Sequence, residues 1–189
     1  MRFTALAVAV GITLGLVARG RLSNMSRRAL RGWILLAAGI ATQVAAGRVG
    51  GPESTTPLVL LSYLLLLGFA ALNLHLVGMG VVIVGMVANA VVIGLNDGMP
   101  IRRSAVVAAG LATPEQAERM RADVKRRPER EGDRVVLLAD IVPVPPLREV
   151  VSFGDLAIAV GLVDVIVHLM RGRSRVRGGD ARPVATATA

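Results

Sequence analysis

The chain has 189 residues, 53% of them hydrophobic, and a formal charge of +9. Its apolar residues fall in blocks too long and too continuous for the alternating faces of a water-soluble domain, so the bilayer is the natural solvent for most of it. Cysteine is absent, which excludes disulfide and thiolate chemistry; two histidines far apart exclude a histidine-rich metal centre; and basic residues that flank apolar runs orient spans rather than bind nucleic acid. No metal and no cofactor is expected. Nearly all the basic residues are arginine, and alanine, valine and glycine abound, as in a GC-rich bacterial genome. The expected location is therefore the bacterial cytoplasmic (inner) membrane, crossed several times.

Five spans are predicted, at about 3–18, 30–47, 57–72, 77–95 and 153–170, forming an all-helical transmembrane bundle over residues 1–171. The first run is followed by Arg19, Arg21, Arg27, Arg28 and Arg31, which is not the pattern of a cleaved signal peptide, so it is predicted to be retained. Trp33 is placed to anchor the second span at the interface. Arg48 to Pro57 has the composition of a turn-rich loop. The third and fourth runs, separated by Asn73-Leu74-His75-Leu76, are too long for one span across a core of about 30 Å and predict a tight helical hairpin. Arginines gather after the first span and again at Arg171, Arg173, Arg175 and Arg177. Counted over short segments, they predict an amino terminus outside and a carboxyl terminus inside. Residues 172–189 are small and polar and are predicted to be a disordered cytoplasmic tail.

The fourth span carries Asn89 and Asn96 seven residues apart, so both amides share one stripe of the helix. They are candidates either for bonding a neighbouring helix or for lining a binding site. Asn96-Asp97-Gly98, closed by Pro100, predicts a turn and completes that candidate binding stretch. Residues 96–152 form the predicted extracytoplasmic loop. Within it Thr113-Pro114-Glu115-Gln116 has a capping pattern that predicts a helix to about Arg127, and Val135 to Ala139 reads as a strand.

Two carboxylates, Asp140 and Asp155, flank the proline-stiffened segment that enters the last span, with Ser152 beside the second. Brought together, they would form an aspartate dyad in which one carboxyl stays protonated as the acid while the other activates water. The alternative is that Asp155 caps the last helix and Asp140 ends a surface strand. Asp164 and His168 form an i, i+4 pair deeper in that span; Asp164 lies nine residues beyond Asp155 and so on the opposite face. An acid within a span is a functional candidate, with His168 as its partner.

Gly15-Leu16-Val17-Ala18-Arg19-Gly20-Arg21-Leu22-Ser23, Leu61-Ser62-Tyr63-Leu64, Asn96-Asp97-Gly98-Met99-Pro100, Ala139-Asp140-Ile141-Val142-Pro143-Val144-Pro145 and Ser152-Phe153-Gly154-Asp155 together resemble an uncharacterised family of bacterial membrane proteins, a domain of unknown function. That resemblance covers nearly the whole chain and implies the fold alone. More locally, Val151 to Gly161 is similar to the start of the last span of signal peptidase II, although Val151 and Ser152 stand where that family has Phe-Asn. That resemblance implies Asp155 and Asp140 as catalytic carboxylates. The leading expectation is a non-enzymatic accessory or assembly module whose partners are the lipid bilayer and another membrane protein. An aspartate-dependent intramembrane hydrolase is the alternative, and a small transporter comes third.

Overall fold

The computed structural model describes residues 2–25, 30–48, 52–121 and 126–171, the side chains of 52–54 excepted. Five apolar helices dominate: α1 (Arg2–Val17), α2 (Trp33–Ala46), α3 (Pro52–Leu72), α4 (Met79–Asn96) and, after the loop, α7 (Phe153–Arg171). Three of them, over Thr55–Leu72, Met79–Asn96 and Phe153–Arg171, are long and apolar enough to cross a membrane. The 16 residues of α1 and the 14 of α2 make shorter apolar helices. At about 1.5 Å per residue both fall short of a core of about 30 Å.

The helices pack in the order α2, α3, α4, α7, α1, each against the next. The α4–α7 contact is antiparallel and built on glycine. A Cβ on Gly85 would lie 2.5 Å from the Gly154 carbonyl oxygen, and one on Gly78 would lie 2.6 Å from that of Gly161. Gly154 and Gly161 are seven residues apart and share one stripe of α7, facing Gly85 of α4 and Gly78, which caps α4 at φ 90. Small residues at such a crossing let backbones approach closely and maximise dispersion contact, which is what drives helix association in lipid. α1 runs alongside α7 in the same direction. At one end the backbone N–H of Arg2 donates to Glu149 at 2.8 Å, and at the other that of Arg21 donates to the Met170 carbonyl at 2.9 Å.

Residues 97–152 fold over the end of this bundle at which α4 stops and α7 starts. The chain is mostly helical, as expected, and among the described residues this segment adds four three-residue strands. β1 (Met99–Ile101) pairs in parallel with β2 (Arg126–Pro128), and β3 (Val142–Val144) pairs antiparallel with β4 (Glu149–Val151). Two short helices, α5 (Arg103–Ala108) and α6 (Pro114–Glu118), accompany them. Ile101, Ala105, Val106, Ala109 and Val150 form a small apolar core under the loop, separate from the main one.

Three boundaries differ from expectation for local reasons. α6 has the predicted capping box and Pro114 at its first turn, yet it ends at Glu118 rather than near Arg127. A capping box fixes where a helix starts; without an apolar stripe nothing holds later turns, and Arg126–Pro128 is β2, paired with β1. Val136–Leu138 is a 3-10 turn rather than a strand, because Val135 is left-handed at φ 54. α3 begins at Pro52, inside the predicted loop, with Pro57 within the helix. The expectations for residues 172–189, including Arg173, Arg175 and Arg177, and for Arg27 and Arg28 lie outside the described residues.

Candidate functional site

The entry to α7 is built by Ser152. Its hydroxyl accepts the backbone N–H of Asp155 at 2.9 Å, and its own N–H points to Oδ2 of Asp155 at 3.4 Å, the reciprocal pattern of a capping box. Ser152 is thus the cap and Asp155 the third residue of the helix, which corrects the expectation that Asp155 itself caps. The carboxylate still sits where the helix dipole favours a negative charge.

This cap is tied to α4. The Ser152 hydroxyl donates to Oδ1 of Asn89 at 2.8 Å, and Nδ2 of Asn89 donates to Oδ1 of Asp155 at 2.8 Å. Both Asn89 and Ser152 are fully buried. The carboxamide fits only because residue 154 is glycine: a Cβ there would overlap Oδ1 of Asn89. Asn89, Ser152 and Asp155, three of the predicted site residues, therefore form one polar cluster.

On its other side Asp155 faces a recess of about 250 Å³ inside the curve of helices. Thr4 of α1, Gln43 of α2, Tyr63 of α3 and Met86 of α4 share its wall with Asp155. All five apolar helices contribute. Gln43 was not singled out in the sequence, and Tyr63 appeared there only within the Leu61-Ser62-Tyr63-Leu64 motif; each directly follows another polar residue, Thr42 or Ser62, inside an apolar run.

Asp140 belongs elsewhere. Its carboxylate, 2% exposed, pairs with Nε of Arg126 at 2.6 Å. Its backbone N–H donates to the Pro100 carbonyl and its own carbonyl accepts from Arg102, both at 3.0 Å, so the residue is stitched to the β1 segment. The two carboxylates proposed as a dyad thus sit in separate clusters, one held by a loop arginine and one by an asparagine of α4.

Asn96 and its neighbours end α4. Asp97 at φ 51 and Gly98 at φ 129 turn the chain, and the Gly98 N–H closes back on the Ile93 carbonyl at 3.0 Å. The Asn96 side chain accepts from the Arg134 N–H at 2.7 Å and donates to the Arg134 and Val92 carbonyls at 3.0 and 2.8 Å. Beside it Arg127, 5% exposed, donates to the Asn96 carbonyl at 2.7 Å and grips Asp133 with both terminal nitrogens. Burial acts to raise the Asp133 carboxyl, but the Arg127 guanidinium and the Arg130 N–H prevail and hold it below the ordinary carboxylate range. These bonds hold the loop onto the end of α4.

Asn73 repeats the arrangement at the end of α3. Its amide accepts from the Arg31 N–H at 3.0 Å and donates to the Arg31 and Phe69 carbonyls, both at 2.8 Å. Asp164 and His168 pair as expected, at 2.9 Å between Oδ1 and Nδ1, and both side chains are about two-fifths exposed. Asp164 packs beside Gly78, where α4 starts.

No curated protein and no solved structure matches the chain. A family model does match, over residues 27–167, which takes in every residue of the Asn89–Ser152–Asp155 cluster and of the loop above it. On that match, which spans well over half of its length, the chain belongs to DUF5317, a family of unknown function.

Proposed function

We propose that the chain is a five-span protein of the bacterial cytoplasmic membrane, with its amino terminus and residues 97–152 on the outer face, acting as a non-enzymatic accessory or assembly module for another membrane protein. The apolar character of α1 and α2 supports counting them as spans, with flanking residues and local bilayer thinning making up their length. Arg19, Arg21, Arg31 and Arg171 lie at the bundle end away from the loop, as expected of a cytoplasmic face. The arginines of the loop are in part matched locally, Arg102 by Glu129, Arg126 by Asp140 and Arg127 by Asp133.

One observation carries the non-enzymatic role: Asp140 and Asp155 are held in different clusters by different partners, whereas an aspartyl dyad needs two carboxylates close enough that they cannot both ionise. The test is complementation of a gene deletion. Asp140→Asn is expected to restore the wild-type phenotype whatever the effect of Asp155→Asn, because the two carboxylates are held in separate clusters. Loss of function in both single variants at normal protein levels, with the double variant no worse, would instead be the signature of a catalytic unit.

A further inference from the structure

The row of five helices does not close. α2 begins it and α1 ends it, and among the described residues these two are not packed against each other along their lengths. The recess beside Asp155 is lined by residues of all five apolar helices, Thr4 of α1 and Gln43 of α2 among them, and these two unpacked helices offer it a lateral way in. Three polar groups on its wall have bonding capacity to spare. The Thr4 hydroxyl and the Gln43 carboxamide make no hydrogen bond among the described residues. The Asp155 carboxylate, with about four lone-pair positions, accepts one short bond from Asn89 and one long one from Ser152, and no basic side chain pairs with it among the described residues. Met86, Ile158 and Leu162 supply apolar wall.

We propose that this recess binds the primary ammonium head of an amphiphile that enters between α1 and α2. An ammonium carries three N–H donors, and Asp155, the Gln43 carbonyl and the Thr4 hydroxyl offer three acceptors. In a water-poor site a carboxylate attracts a cation far more strongly than in water, repels an anionic head and gains little from a neutral one. A volume of about 250 Å³ is below the roughly 300–1,000 Å³ of pockets that enclose whole drug-sized ligands. It holds a head group and its first methylenes, and the rest of the chain leaves through the mouth. The inference rests on the membrane reading only for this lateral entry.

The full chain in dodecyl maltoside is titrated with dodecylammonium and with dodecanol. The wild type is expected to bind dodecylammonium about tenfold or more tightly, the scale of one charge-assisted hydrogen bond. Asp155→Asn keeps an acceptor for Asn89 and so keeps the fold, and is expected to abolish the preference. Gln43→Leu, away from the capping cluster, is expected to reduce it. Equal affinities in the wild type, or a preference surviving in both variants, would overturn the proposal. Native mass spectrometry from nanodiscs of mixed phosphatidylethanolamine and phosphatidylglycerol separates the sources. Selective retention of phosphatidylethanolamine identifies a membrane lipid head, and preference for dodecylammonium without it identifies a single-chain amine. Recovery of the protein without detergent in a soluble fraction would contradict the membrane reading alone, since the titration reads binding independently.

Discussion

Gly154 is the residue on which the α4–α7 contact depends most. The buried Asn89 amide occupies the space where any other side chain would begin, and it bonds both Ser152 and Asp155 from there. Gly154→Ala must push α7 away from the Asn89 amide and from the Gly85 backbone, at a cost of about 1–3 kcal/mol, the range of overpacked cores. Gly80 is the matched control, because a Cβ there meets nothing within 4 Å. Gly80→Ala is expected to be neutral or to stabilise by up to about 1 kcal/mol through helix propensity. Melting curves of the two variants in detergent check the contrast; equal shifts would mean that the crossing is not glycine-limited. The sequence named Asn89, Ser152 and Asp155 one by one as polar residues in or beside apolar runs. It could not show that they meet, because Asn89 lies 63 and 66 residues from its partners and no local pattern encodes that pairing. Asn73 escaped notice for a related reason. A buried asparagine after a helix has the composition of an ordinary turn, and only the backbone of Arg31, in the turn before α2, reveals its clamp.

At the level of elements, the helices were legible and the loop was not. Apolar runs bounded by Arg, Gly and Pro mark α1, α4 and α7 to within a residue or two, because length and hydropathy are what the bilayer selects. Strands of three residues have no period to detect, and β1 and β2 find each other across a charged segment whose composition suggests only solvent. The same blindness applies to the latch between α1 and β4. Glu149 accepts the N–H groups of Arg2 and Phe3 at 2.8 and 2.9 Å, satisfying donors that every helix start leaves open. Burial acts to raise its carboxyl, but those bonds and the positive start of the chain outweigh it and hold the pKa at about 2, against an ordinary value of 4.5. A depressed carboxyl stabilises the fold above its unfolded pKa. That contribution is expected in full above about pH 4.5 and fades as pH falls towards 2. Glu149→Gln should therefore melt below the wild type at pH 7, and the gap should narrow between about pH 4.5 and 2. A gap independent of pH would assign the latch to packing instead of charge.

The molecule as a whole is built one-sidedly along the bundle axis. The starts of α1 and α7, the end of α4 and the described residues of 97–152 lie at one end of the bundle, bound together through Glu149, Asn96 and Asn89. The opposite end holds the α3–α4 turn with its Asn73 clamp, and the contact of Arg21 with Met170. Such polarity makes sense if the two ends face different compartments, with short arginine-rich segments kept inside. The natural absence of cysteine makes this directly measurable, since any single introduced cysteine is the sole target of a thiol reagent. In intact cells treated with a membrane-impermeant maleimide, cysteines placed at Gln116 and Ser54 are expected to label, while those at Ser23, His75 and Ser174 are expected to label only after the membrane is permeabilised. Labelling of Ser23, His75 and Ser174 in intact cells, with Gln116 and Ser54 protected, would contradict the account.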